Sequence, residues 1–422
     1  MNFRFWTNDQ WDENTNSEFQ DNSRSSIRIR LRHLMRFFYV LGPAWLVMIA
    51  DVDVASIITG IESGAQFQYS MIFIELILII PLFIIQDAAG RVGVVTQKGI
   101  GELILDNYGK KIALASTVPM ALTDFLSYLC EYAGIAFGFQ ILGIPIFPYI
   151  LVVFLLHLFI VMTRSYQSAE RILILISGFF VLFVIFLGFA SNPNYQTVFT
   201  QAISPFQPYT NNKFDFLIIA NIGAVIMPWM LFFQAGAVSE KKIDSNGIKY
   251  ERLETFLGAI VSEILMVGVL LVGISLGDKF LTNSNLITST TAFGLSLSVI
   301  FGLTFIFSGF LALIIISLGS SWGVVESLGY ERQSRQNLYI YGLESIPALL
   351  LTMFISISID YILNLMVLFV FVLLMPAILL GIIVQNKKIM FEHAYSKRAI
   401  AIYWLTLFII EISGIVGVFL SF

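Results

Sequence analysis

Residues 48–60 read MIADVDVASIITG, and two aspartates, Asp51 and Asp53, stand in the middle of an apolar run that extends from about 37 to 64. A carboxylate at bilayer depth costs roughly 2.5–3.5 kcal/mol on insertion scales. An intramembrane acid therefore reads first as part of a functional site, and what surrounds this one decides what kind.

Composition sets the class. Of 422 residues, 57% are hydrophobic and 12% charged, and the mean hydropathy is +0.84. Soluble domains run near 25% charged, so the chain reads as an all-α polytopic membrane protein. The single Cys130 excludes a disulfide within the chain and a cysteine metal cluster. No H-E-x-x-H pair is present, which argues against a membrane-embedded metalloenzyme. No cofactor motif and no nucleic-acid partner is expected. Residues 1–35 read as a cytoplasmic tail, mostly disordered and rich at first in Asn, Asp and Gln, with no cleavable signal peptide.

A membrane helix needs about 20 apolar residues. Eleven such runs occur, near 37–64, 69–95, 112–142, 146–163, 168–191, 214–238, 252–276, 290–323, 336–358, 360–385 and 397–421. Between the fifth and sixth, residues 192–213 form a polar, Pro-containing loop. With eleven spans in alternation, 22 of the 24 Lys and Arg residues fall on one side, and only Lys213 and Lys279 on the other. The basic side is the cytoplasmic one, which places the N-terminus in the cytoplasm and the C-terminus outside, in the plasma membrane. The chain then divides into a first five-helix repeat at 36–191, the extracellular loop 192–213, a second repeat at 214–385 and an eleventh helix within 386–422.

Spans 1–5 and 6–10 have opposite topologies under this reading, the inverted repeat of many secondary transporters. In such folds the first helix of each repeat is often broken near midplane. Span 1 carries DVDVAS there; span 6 carries NIGAVIMPWM, 221–230, with Pro228 at its centre. Asp53 offers a hard anionic oxygen, Ser56 a hydroxyl, and the carbonyls of Ala50 and Ala224 neutral oxygens. Met227 offers a soft thioether, and this mixture suits a divalent first-row metal such as Mn²⁺ or Fe²⁺. The bland alternatives are apolar packing for Met227 and a hydrogen bond to a broken helix end for Asp53. Asp51 adds charge at the mouth of the site, favouring a hard ion such as Mg²⁺, or accepts protons, or pairs with a polar group on a neighbouring span. Glu62 fits an interfacial position, and Asp87 with Arg91 at i+4 an ion pair.

The stretch GPAWLVMIADVDVASIITGIESGAQFQYS (42–70) resembles the first-helix signature of the NRAMP family of divalent metal transporters, and GAVIMPWMLFFQAGAV (223–238) its sixth-helix signature. QDAAGRVGVVTQKGIGELI, CEYAGIAFGFQILGIP, ERILI and ESIPALLL follow the family pattern in order, from about 36 to 376. The resemblance implies the LeuT-like fold, with eleven transmembrane helices, a 5+5 inverted repeat and broken helices 1 and 6. It sets Asp53 and Met227 on the family's metal-binding Asp and Met, Ala50 and Ala224 on its carbonyl donors, and Ser56 on its Asn ligand. Val54 and Ala55 replace the Pro and Gly that usually break the helix.

The family's proton route is altered in this chain. Trp229 stands at the sixth-helix His and Gln234 at a second His. Tyr128 stands at a third-helix Asp, Tyr341 at a ninth-helix Arg and Leu374 at a metal-holding Gln, while Glu131 remains. None of the replacements exchanges protons near neutral pH, and the three histidines, His33, His157 and His393, fall elsewhere in this reading. The expected function is a secondary transporter of divalent cations, Mn²⁺/Fe²⁺-type, with weak or no proton coupling. A Mg²⁺ or broad divalent uniporter is the alternative, and a Na⁺- or H⁺-coupled amino-acid carrier is a more distant one. A monomer suffices, with the bilayer and the metal ion as partners.

Overall fold

A computed structural model describes residues 42–162, 166–205, 212–277, 294–354 and 358–421. The expected tail at 1–35, and the basic residues Arg164 and Lys279, lie outside the described residues.

The described chain is nearly all helical. The first apolar run is two half-helices, α1 (Pro43–Asp51) and α2 (Val54–Phe67). A short 3-10 turn leads to α3 (Ile72–Thr96), then α4 (Ile100–Tyr108), α5 (Lys110–Ile141), α6 (Ile146–Met162) and α7 (Tyr166–Ala190). The polar connection holds α8 (Tyr195–Ala202). The sixth run is again two half-helices, α9 (Asn212–Val225) and α10 (Pro228–Glu240). It is followed by α11 (Ile248–Leu276), α12 (Leu295–Ser327), α13 (Arg335–Thr352), α14 (Ile359–Gln385) and α15 (Lys397–Ser421).

Each of the eleven expected runs thus holds one helix or a pair of half-helices. By length and apolarity, eight stretches of the described residues qualify to cross a membrane. The difference has local causes. Val54–Thr96 counts as one stretch though it spans two runs, α6 contributes only a shorter apolar segment, and α13 opens on the polar RQNLY. The connection 192–213, expected as loop throughout, contains a helix because Asn194 caps it, its side chain accepting from Thr197 N at 3.2 Å.

Helix α12 packs most extensively against α5, and α11 against α2 and α3. The α2–α11 contact depends on two glycines. A Cβ at Gly64 would meet the Leu270 carbonyl, and one at Gly273 the backbone of Ile61. Without a hydrophobic force between helices in lipid, such close backbone approach is a main source of association. Lipid-facing surface is carried by exposed side chains such as Phe159, Leu175, Phe189, Leu405 and Phe408. Glu62 ends in an ion pair with Lys213 at 3.4 Å, as its place at the end of the first run suggests.

Candidate functional site

Both breaks have local explanations. Helix α1 stops at Asp51 because Val52 leaves helical geometry, with φ −79° and ψ 57°. Asp53 is extended and is the N-cap of α2; its Oδ1 accepts from Ser56 N at 2.7 Å. A short acidic side chain is among the best caps, so the helix restarts on Asp53 itself, without the Pro-Gly pair. In an unbroken helix Val54 N would donate to the Ala50 carbonyl; here it donates to Glu131 Oε2 of α5 at 3.3 Å. Ser308 of α12 donates to the Val52 carbonyl at 2.8 Å. Neighbouring helices thus satisfy the backbone that the break opens, as a low-dielectric setting requires.

The second break follows from one proline. Pro228 forces the preceding Met227 into extended geometry, φ −93° and ψ 145°, and then opens α10 at its first helical position. The Ala224 carbonyl would take its helical bond from residue 228, which has no N–H. It accepts instead from Ser56 Oγ at 3.3 Å, a bond that joins the two breaks. Met227 N donates to Met230 Sδ at 3.3 Å, and the Met227 side chain is fully buried.

The structure therefore brings Ser56 and Ala224 together directly, with Asp53 at the head of the same turn as Ser56. Ala50 stands in the last turn of α1, and Met227 is the N-cap of α10. One oxygen of Asp53 holds the cap. The other, Oδ2, and Glu131 Oε1 are buried and receive no N–H or hydroxyl hydrogen bond, and the two carboxyls lie against each other. Among the described residues, no three His, Cys, Asp or Glu side chains converge as a metal cage. A cation held here would rest on the mixed donor set of carboxylate, carbonyl, hydroxyl and thioether.

Asp51 lies within electrostatic reach of Asp53, and its Oδ2 accepts from Ser262 Oγ of α11 at 3.1 Å, which ties it to a neighbouring span. Glu263 of α11 lies within electrostatic reach of both Asp51 and Glu75 of α3. Trp229 is buried, its indole N–H unpartnered. Gln234 Nε2 donates to Glu251 at 2.7 Å and to Thr255 at 2.9 Å. Tyr128 donates to Glu344 at 3.0 Å.

Two expectations need correction. Leu374, set by resemblance at a metal-holding glutamine, lies on the exposed side of α14, whose buried face carries Phe369, Val370 and Leu373. His157 does not stand apart in α6. It is fully buried, its Nε2 lies 2.9 Å from Ser317 Oγ, its Nδ1 3.4 Å from Tyr132 OH, and its ring packs edge-on to Tyr341 at 4.9 Å. With Asp124 and Glu344 it joins a polar cluster between α5, α6, α12 and α13 that sequence reasoning missed. The available signals were a lone histidine in an apolar run and Asp124, Tyr128 and Glu131 at i, i+4 and i+7 on one face of α5.

The chain resembles known proteins over most of its length. A family model described as natural resistance-associated macrophage protein-like (Nramp) matches residues 44–420. The divalent metal cation transporter MntH of Staphylococcus haemolyticus is 26% identical over 275 residues, which is 62% of this chain and 59% of that protein. Metal transporter Nramp3 of Oryza sativa subsp. japonica is 31% identical over 218 residues, 50% of this chain and 39% of that protein. The chain thus spans between 39% and 59% of the length of these curated relatives. A crystal structure of the Eremococcus coleocola manganese transporter, in complex with an aromatic bis-isothiourea substituted compound, superposes with TM-score 0.76 at 16% identity. It covers 96% of this chain and 89% of that one. Mhp1, a nucleobase-cation-symport-1 family transporter, superposes with TM-score 0.52 at 14% identity, covering 90% of this chain and 91% of that one. These two likenesses show the fold, a LeuT-like helical bundle.

Proposed function

Because the chain belongs to the Nramp family, and is on that ground a multi-pass membrane protein, we propose that it carries divalent metal cations across the plasma membrane by alternating access. The cation sits between the two helix breaks, held by Asp53, Ser56, Met227 and the carbonyls of Ala50 and Ala224. The observation that carries this reading is the Asp53 carboxyl, fully buried at a broken helix end against a second buried carboxyl, Glu131. Two acids in contact at that depth cannot both ionise unless a cation joins them.

The thioether of Met227 favours Mn²⁺ or Fe²⁺ as substrate. Asp51, hydrogen bonded to Ser262 and within electrostatic reach of Asp53, keeps a second carboxyl near the site, which is an argument for a harder ion. Mg²⁺ or a broad divalent range is the second reading, favoured by the hard oxygens that make up the rest of the donor set. An amino-acid carrier fits poorly, since a substrate carboxylate would face Asp53. Coupling to protons is weak or absent: Trp229, Gln234 and Tyr128 replace exchangeable groups, and Gln234 and Tyr128 are taken up by fixed hydrogen bonds. Residues 36–191 and 214–385 are the two inverted repeats, with the N-terminus cytoplasmic and the C-terminus outside. One chain supplies every donor, so a monomer suffices, and no cofactor or catalytic step is involved.

The test is uptake of Mn²⁺ and Mg²⁺ into proteoliposomes with a pH dye inside. Asp53→Ala is expected to abolish Mn²⁺ uptake, and Met227→Ala to cut Mn²⁺ uptake by about tenfold or more while changing Mg²⁺ little. Uptake of Mn²⁺ indifferent to Asp53→Ala would refute the site. Internal acidification in step with the metal would refute uncoupled transport.

A further inference from the structure

At the end of α3 away from Gln68, a cleft of about 560 Å³ opens between α3, α11 and the start of α15. Its rim is polar. Asp87 of α3 stands between two guanidinium groups, Arg91 Nη2 at 3.9 Å and Arg252 Nε at 3.4 Å. Tyr395 donates to Asp87 Oδ2 at 2.6 Å. Burial, and then the Asp87 charge, hold the Tyr395 hydroxyl well above its usual range, so it stays a donor. Glu251, the other carboxyl within electrostatic reach of Asp87, is fully buried and held by Gln234 and Thr255 outside the cleft lining. At the rim, therefore, one carboxylate faces two guanidiniums and one positive charge is left over. The N-terminal turn of the 25-residue α15, through Ser396 and Ala399, lines the same rim and adds the positive end of its dipole.

Below the rim the walls are apolar: Ile79, Ile80, Phe83, Phe256 and Ile402. Both arginines sit at this boundary, Arg252 over the Phe83 ring at 5.5 Å and Arg91 over Tyr395 at 5.1 Å. Ile80 also lines a second hollow of about 280 Å³, almost wholly apolar, between α3, α9 and α15. Along α3 the lining positions step 91, 87, 84, 80, 77 and 74, one face of the helix. At 1.5 Å per residue this stripe runs about 25 Å, the depth of a headgroup plus one leaflet of a hydrocarbon core about 30 Å thick.

We propose that this groove binds a phospholipid with an anionic headgroup, its phosphate at the rim beside the Arg252 guanidinium and one acyl chain along α3. A free inorganic anion would leave the apolar hollow unfilled, and a zwitterionic lipid would leave the surplus charge unmatched. Basic residues at a membrane surface draw anionic lipid with about 1 kcal/mol each.

The test is native mass spectrometry of the full chain in detergent with phosphatidylglycerol or phosphatidylcholine of the same acyl chains. Phosphatidylglycerol adducts are expected to be retained about fivefold more than phosphatidylcholine, the effect of one unmatched basic residue. Arg252→Gln, at a side chain 54% exposed and so tolerant of change, should erase that preference, while Arg252→Lys keeps part of it. Ile80→Trp, which fills the groove without touching charge, should lower retention of both lipids. Excess inorganic phosphate should leave the adducts in place. Equal retention of both lipids, indifference to Arg252→Gln, or displacement by inorganic phosphate would each overturn the proposal.

Discussion

At the residue scale, the site depends on how each polar atom around the first break is satisfied. Glu131 gives one oxygen to Val54 N and lies against the Asp53 carboxyl, so its removal has two separable effects. Glu131→Gln keeps an acceptor for Val54 N, whereas Glu131→Ala leaves a buried N–H unpaired at a cost of about 1–3 kcal/mol. The expected outcome is a clear drop in thermal midpoint for the alanine variant and a small one for glutamine, measured by scanning fluorimetry in detergent. Equal losses would mean that the hydrogen bond contributes nothing and the carboxyl acts by its charge or volume. Ser56 is a finer case: its hydroxyl reaches Ala224 across the breaks, which the longer amide of the family's ligand would do from a different depth.

At the scale of elements, the half-helices work because their neighbours approach so closely. Gly64 and Gly273 let α2 and α11 touch backbone to backbone. Gly64→Val is therefore expected to cost several kcal/mol, at least the 1–3 typical of overpacking, and to shift the protein out of the monodisperse peak in size-exclusion chromatography. Gly178→Ala on α7 has open space around it and should elute and melt like the parent. The breaks themselves were legible in sequence: Pro228 announces the second, and an aspartate in mid-run marks the first. The reason the first forms without Pro-Gly was not legible, since the donors and acceptors that complete it, Glu131 and Ser308, come from helices α5 and α12. The turn of Asp51 toward Ser262 was open for the same reason, because a helix position fixes a direction but not the partner found there. His157 and Leu374 show the limit most clearly. One becomes part of a polar cluster and the other faces outward, and both outcomes depend on how whole helices are rotated about their axes.

At the scale of the molecule, hydropathy and the distribution of Lys and Arg carry most of the architecture, because a bilayer allows few solutions. The orientation they imply is directly testable. Cys130 is the only cysteine and is buried, so the parent chain should be silent to a membrane-impermeant maleimide. Asn194→Cys, beside α8, is expected to label in intact cells, and Lys388→Cys only after permeabilisation. The reverse pattern would invert the topology. The cap at Asp53 has one more consequence. Under the proposed site, the side chain that keeps the second half of a divided helix wound also offers an oxygen to the cargo. Taking on an ion would then tighten the very turn on which that half-helix restarts.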